Sequence, residues 1–400
     1  MHFLSARNQE DFLATPELIR LTTADGAVSD EPTLLVKCIT LNLKYLVQGQ
    51  LRLHFFRAGA KGLAYVLEID NDSDDRVAFW SLVRFNEELQ CLRRLIEHRV
   101  LQLFLFNELA TNLASATAEI EVIPENVTAL VRHVERQKPL ITPQLKSEIA
   151  TRTESIVAGK FNAESMISLP KDLTWNPIEA YYYASKSGVS NILLWDKDEG
   201  AQQEELAVWI AEGLVQGLPA IRSPQVQEPG GRRELTDVLV TDGERTFIIE
   251  SKALSIFSRP KLPPRDKLSA DLIKHVMKAS KQLAGAIRNI ERRYQITDSN
   301  AHDIVVNPEG SLHAIILVPD LTLFDSQSGL GATFFRETSD SIGGFFHILD
   351  PAELVRMMQA AYMISKKSGP TPLMALNYYL IERAKISFER ESPNFGMLLR

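Results

Sequence analysis

The stretch that most constrains how this 400-residue chain can fold is Glu234-Leu-Thr-Asp-Val-Leu-Val-Thr-Asp-Gly-Glu-Arg-Thr-Phe-Ile-Ile-Glu-Ser-Lys252. Asp-Gly between two runs of β-formers predicts a tight hairpin, because both central positions of a type I′ turn need positive φ. With Asp242 and Gly243 as those residues, Thr241 faces Glu244 and Asp237 faces Ile248. Cross-strand partners share a face, as do residues two apart on one strand. Asp237, Ile248, Glu250 and Lys252 therefore project together. Asp237 and Glu250 are expected as diagonal neighbours, roughly 7–8 Å apart at Cα. A one-residue slip would send them to opposite faces.

Two convergent carboxylates suit a hard divalent cation, Mg²⁺ or Mn²⁺, with the Ser251 carbonyl as a third ligand and waters beyond. An ion so held polarises a phosphoryl oxygen and lowers the pKa of a bound water. Lys252, on the same face, is placed to orient that water or to stabilise developing negative charge. An Asp, a Glu and a Lys on one sheet face form a minimal hydrolytic site for phosphodiesters. The alternative is a solvated Glu–Lys pair at a strand edge. The apolar run Phe247-Ile248-Ile249 argues against it, since ionisable groups ending such a strand are costly unless paired or metal-bound.

At these residues the chain resembles the PD-(D/E)xK nuclease superfamily, the restriction-endonuclease-like fold. Asp237 matches the first acid and Glu250-Ser251-Lys252 the Glu-x-Lys element; the Pro that precedes the first acid in that family is Thr236 here. The resemblance spans about residues 195 to 350. It implies a Mg²⁺-dependent endo- or exonuclease, acting on DNA rather than RNA, in restriction, repair or defence against foreign DNA. It also implies an acidic residue on the helix before the hairpin, which either Glu204 or Glu205 could supply. The helix dipole equally favours acids there without any function. A Lys or Gln from the helix after the hairpin is the remaining site element, and Gln282 is its candidate.

Charge adds a partner. Lys252 to Arg293 holds 11 Lys and Arg against 3 Asp and Glu, a local net of +8 in a chain whose net charge is −7. In the expected helix Leu268 to Arg293, Leu272, Val276, Ala279, Leu283, Ala286, Ile287 and Ile290 form an apolar face. Lys274, Lys278, Lys281, Arg288 and Arg292 form a stripe opposite it, preceded by Arg259, Lys261 and Arg265 in a Pro-rich loop. Phosphate contact and a merely solvated helix face are the two readings of that stripe.

The rest of the chain bounds the fold. The hydropathy pattern predicts an N-terminal α+β domain over 1–135, a helical connector over 136–190, and an α/β domain over 191–400 whose mixed central sheet is flanked by helices. Strands are expected at Leu34–Leu46, Leu51–Phe56, Ala64–Ile69 and Val77–Val83, and one or two helices at Asn86–Leu113. Tyr181, Tyr182 and Tyr183 are expected on a helix, and a strand at Asn191–Trp195. Only Cys38 and Cys91 are present, without metal-ligand spacing, and Cys91 reads as core. His275, His302, His313 and His347 read as structural or exposed. Neither a signal peptide nor a run of roughly 18 apolar residues is present, so a cytoplasmic protein without membrane contact is expected. The N-terminal domain is expected to mediate recognition, homo-oligomerisation or contact with a protein partner. A catalytically silent nuclease-fold binding or assembly subunit is the alternative to an enzyme.

Overall fold

The computed structural model describes residues 9–12, 15, 17–23, 31–59, 62–71, 76–134, 141–160, 165–184, 188–214, 220–256, 259, 262–324 and 330–395. The chain divides into two compact units, residues 1–180 with 193–195, and residues 181–192 with 196–400.

The first unit holds two sheets. One has the order β1(Leu18–Thr23)-β2(Pro32–Lys37)-β6(Val100–Phe106)-β7(Asn112–Glu119)-β9(Asn176–Pro177). The other is β5(Val77–Leu82)-β4(Gly62–Asp70)-β3(Gln50–Ala58)-β8(Met166–Ser168), antiparallel throughout. Helices α1 (Thr40–Leu46), α2 (Asn86–His98), α3 (Glu125–Arg132) and α4 (Pro143–Val157) complete it. Helix α4 starts on a Thr142 side chain that accepts the Leu145 N–H, and buries Ile149 and Ile156 against Phe56, Ala64, Val66 and Leu82. It thus belongs to the first unit, and residues 165–184 that follow it carry strands instead of further helix.

Three local expectations are corrected here. Leu34–Leu46 is a strand only to Lys37, after which α1 takes over. Asn86–Leu113 is helical only to His98: Arg99 adopts a left-handed φ of 56° that ends α2, and β6 follows. Leu101, Leu103 and Leu105 are fully buried in alternation, the period of a strand. Tyr181–Tyr183 lie in strand β10 (Ala180–Ala184), paired with β11 (Gly188–Ile192), which replaces the expected Asn191–Trp195 strand. Cys38 and Cys91 are buried thiols, and burial pushes Cys91 up to about 12.

The second unit is mixed α/β. Helix α5 (Glu199–Leu214) precedes a sheet of order β12(Ile221–Arg222)-β15(Val238–Thr241)-β16(Arg245–Ser251)-β18(Ser311–Leu317)-β19(Phe345–Leu349). The first three strands are antiparallel in turn; β16, β18 and β19 are parallel. A parallel pair needs a crossover, supplied between β16 and β18 by α6 (Arg265–Glu291) and between β18 and β19 by α7 (Ala332–Ile342). A side sheet, β14(Gly231–Glu234)-β13(Gln225–Glu228)-β17(Ile296–Thr297), branches off between β12 and β15. Helices α8 (Pro351–Ser368) and α9 (Pro372–Arg390) follow β19. Arg383, fully buried, holds Glu353 through two hydrogen bonds of 2.8 Å. Among the described residues no helix is long and apolar enough to cross a membrane.

His313 and His347 form a buried pair inside this unit. The His313 ring stacks between Phe247 and Phe345 at centroid distances of 4.8 and 5.0 Å. Its Nε2 lies 2.8 Å from Asn377 Oδ1, so it donates there, leaving Nδ1 to accept from His347 Nε2 at 3.1 Å. His347 Nδ1 is then a bare buried nitrogen with no partner to receive a second proton. Burial pushes both rings down, His313 to about 4. The unfolded chain takes up these protons as pH falls through about 6.5, while the folded rings refuse them. Stability is therefore full above about 6.5 and declines as pH falls from there toward about 4. Thermal melts at stepped pH are expected to show this decline, and a His313→Leu/His347→Leu double variant is expected to flatten it.

Candidate active site

The hairpin forms, but its turn is longer than a two-residue loop. Observed partners are Thr241 with Thr246, Val240 with Phe247, Leu239 with Ile248 and Val238 with Ile249. Each lies two residues beyond the expected partner. Asp242 is the cause: its Oδ1 accepts the N–H groups of Glu244 (3.0 Å) and Arg245 (2.7 Å), and only Gly243 needs positive φ, at 91°. This Asx-type loop inserts two residues into the connection. A shift of two preserves the face, so the expected grouping survives and tightens. Continued past Val238, the register sets Asp237 directly opposite Glu250 instead of diagonal to it.

The tip is also fixed from outside. Gly243 O accepts the Asn307 N–H at 3.0 Å, and Glu244 O accepts the Ser311 N–H at 2.9 Å. Gly310 passes so close that a β-carbon there would lie 2.1 Å from Glu244 O. At the other end, Asp237 Oδ2 accepts the Ser251 N–H at 2.6 Å, and Thr236 Oγ1 donates to Ile249 O at 2.9 Å. Thr236, standing where the resembled family has Pro, thus ties the two strands together.

Three side chains converge at this strand end. Lys252 Nζ lies 2.8 Å from Glu250 Oε2 and 3.7 Å from Asp237 Oδ2. Glu250 is only 2% exposed. Burial raises its carboxyl above the ordinary range, Asp237 adds to the rise, and Lys252 offsets it only in part. Burial acts to lower the Lys252 ammonium, but the charges of Glu250 and Asp237 outweigh it, so its pKa is raised and it remains cationic. The Lys252 N–H donates to Leu317 O at 2.9 Å, which carries the chain off along the end of β18.

Helix α5 separates the two expected acids. Glu205 pairs closely with Arg222, whereas Glu204 lies 3.8 Å from that guanidinium and within electrostatic range of Asp237 and Lys252. Burial and Asp237 push the Glu204 carboxyl up. Glu204 is thus an α5 acid within electrostatic range of the site. Two neighbours carried no sequence signal. Gln203 donates to Leu317 O at 3.3 Å, the carbonyl Lys252 also uses, and the buried Glu199 accepts the Ile256 N–H at 2.6 Å.

On α6 the placement differs from expectation. Gln282 is exposed and no hydrogen bond joins it to the acids. His275, two turns earlier, is the side chain within electrostatic range of Lys252. The reason is direction. Arg265, at the start of α6, reaches Asp320 just beyond the end of β18 at 3.3 Å, so the first half of the helix lies at the site end of the sheet. Seven residues carry the helix about 10 Å farther on, which takes Gln282 away.

The basic residues divide. Lys274, Lys278, Lys281, Arg288 and Arg292 are exposed along α6. Arg259 is engaged by Asp271 at 3.1 Å and by Ser255 O at 2.8 Å. Lys261 lies outside the described residues. Among the described residues no group of three His, Cys, Asp or Glu is gathered at metal-ligand spacing. The residues that could hold an ion are Asp237 and Glu250, with the Ser251 carbonyl and water as further donors. Their chemistry, hard oxygens with crowded negative charge, fits Mg²⁺ or Mn²⁺.

Compared with protein-family models, with curated proteins and with solved structures, the chain matches none.

Because the fold raises the Glu250 pKa, its ionised form opposes folding once pH exceeds the ordinary glutamate value near 4.5, and this stability is lost as pH rises through the raised value. Glu250→Gln is therefore expected to melt no lower than the parent at pH 7, with the difference between them shrinking as pH falls toward 4.5. Parallel melting curves at the two pH values check this.

Proposed function

We propose that this chain is a metal-dependent nuclease that hydrolyses phosphodiester bonds of DNA at Asp237, Glu250 and Lys252. The observation that carries the reading is the convergence of two carboxylates and a partly buried ammonium at one strand end, with Glu204 within electrostatic range of Asp237 and Lys252. The order of elements supports the restriction-endonuclease-like fold: a helix, three strands antiparallel in turn, a crossover helix, and a strand parallel to the third. Asp237, just before the first residue of β15, and Glu250, in β16, are the two acids to which the resemblance assigns the metal.

Asp237, Glu250 and the Ser251 carbonyl would hold the ion. When bound, Mg²⁺ polarises a phosphoryl oxygen and supplies a water of lowered pKa. Lys252 stays charged and is fixed by Glu250 and by its own backbone bond to Leu317. It is thereby preorganised to stabilise the negative charge that grows on the phosphate. The exposed Lys274, Lys278, Lys281 and Arg288 stripe offers phosphate contacts along α6. Restriction, repair and defence against foreign DNA are roles this reading admits.

Incubating the protein with plasmid DNA, single-stranded DNA and RNA, with Mg²⁺, Mn²⁺ or a chelator, tests the reading. Metal-dependent cleavage of DNA is expected, with a loss of about 100-fold or more in Lys252→Ala and Asp237→Asn. Cleavage at the parental rate by Lys252→Ala overturns the mechanism. Salt-sensitive binding by the parent without cleavage under any metal identifies a catalytically silent nuclease-fold protein instead. The α6 stripe has its own readout: Lys278→Ala/Lys281→Ala is expected to weaken DNA binding and to lower the slope of log K against log salt by about 2.

A further inference from the structure

Gly285 stands in the middle of the basic stripe of α6. Lys281, Gly285, Arg288 and Arg292 follow at intervals of four, three and four residues, which stack side chains on one helix face. The three cations are exposed. The missing side chain leaves a gap that two guanidiniums border. A β-carbon on Gly285 would lie 3.8 Å from Nη2 of Arg288 and 3.9 Å from Nη2 of Arg233, which belongs to strand β14. These two nitrogens are therefore no more than about 8 Å apart, a span that one phosphate closes with a charge-assisted bond of about 2.8 Å to each.

The hairpin that delivers Arg233 is fixed to the helix. Glu228, on β13, accepts from Arg233 Nε at 2.7 Å and pairs with its Nη2 at 2.6 Å. The same Glu228 Oε1 accepts from Asn289 Nδ2 at 2.7 Å, and Asn289 is buried in the packing of α6. One carboxylate thus joins β13, β14 and α6 and orients the Arg233 guanidinium. Strand β13 is also paired with β17, just after the helix, through Val226 and Ile296. Glu228 is the one anion of the arrangement, and it is shared. Arg288 has no carboxylate partner among the described residues. The gap therefore keeps a surplus of positive charge, with Lys281 and Arg292 one turn away on either side.

We propose that Arg233 and Arg288 clamp one backbone phosphate of a DNA duplex above Gly285, with the β13–β14 hairpin and α6 as the two walls of the cradle. Charge complementarity selects a polyanion, and composition selects its form. Neither α6 nor the hairpin carries a Phe, Tyr or Trp on which an unpaired base could stack. Contact is left to the backbone, which a duplex presents with its bases already stacked on one another. The clamp also lies within reach of the acids. Arg233 precedes Asp237 by four residues, so their Cα atoms are at most about 14 Å apart. That distance is about four base steps of a duplex. Arg232, the next residue along β14, points to the opposite face, where Thr297 Oγ1 and Asp298 O each accept from it at 3.3 Å. The inference takes its substrate from the nuclease reading.

Binding of the full chain to a labelled DNA duplex, in chelator and at stepped salt, tests the clamp without cleavage. Arg233→Ala and Arg288→Ala are each expected to weaken duplex binding about tenfold and to make its salt dependence shallower. The double variant is expected to lose less than the product of the two losses, because both residues hold one phosphate. Gly285→Glu sets a carboxylate in the gap and replaces glycine with a better helix former. It is expected to melt no lower than the parent and to bind about tenfold or more weakly. Arg232→Ala is expected to stay within about twofold of parental affinity. Arg233→Ala and Gly285→Glu proteins that bind like the parent overturn the clamp. Equal weakening in Arg232→Ala also overturns it, since general charge then accounts for the loss. Single-stranded DNA bound as tightly as the duplex, with the same dependence on Arg233, overturns the duplex assignment. Cleavage by the parent, assayed separately with metal, tells the two failures apart: parental binding by the variants of a cleaving enzyme sinks the clamp alone, and Arg233-dependent binding without cleavage sinks the nuclease reading alone.

Discussion

A carboxylate that is 2% exposed and faces a second carboxylate carries a charge the protein interior resists. The rest of the second unit's geometry depends on how that resistance is met. Lys252 meets part of it at 2.8 Å, and its ammonium is held charged in return. The remainder persists as a raised Glu250 pKa, a standing demand for further positive charge. A divalent cation would satisfy it. The arrangement is worse for folding than an apolar strand end and better for gathering metal and phosphate, the trade expected where polar groups serve chemistry.

Much of this was legible in the sequence, for a definite reason. Side-chain direction in a strand depends only on parity. The turn was two residues longer than the Asp-Gly pair suggests, yet Asp237, Glu250 and Lys252 still shared a face, because an error of two leaves every side chain where it was. The first crossover helix was equally readable from its apolar stripe, whereas the second, α7, and the side sheet were not anticipated. The long helix over Leu268 to Arg293 was placed within a few residues of α6.

What was hidden has physical causes too. Val100–Phe106 is apolar at every position but Gln102, which masks its alternation, and the left-handed turn at Arg99 and the pairing with β2 and β7 make it a strand. Tyr181–Tyr183 is a local run whose state is set by β11. The choice between Glu204 and Glu205 depended on Arg222, seventeen or eighteen residues away, taking one of them. That Gln282 lies away from the acids depended on where along α6 the strand end falls, which is a property of the loop between Lys252 and Arg265. Tertiary distances of this kind leave no periodic trace.

The hairpin's tip also acquires a larger meaning. Pairing is pinned where Asn307, Gly310 and Ser311 close over Gly243 and Glu244, yet it is used at Glu250, six residues and about 20 Å along the strand. Register runs unbroken along β16 between its two neighbours, so a slip at the covered turn would move the pairing at the far end with it. The alignment of the acidic cluster is therefore held at both ends of the hairpin, and at the tip by a glycine whose whole contribution is the absence of a side chain.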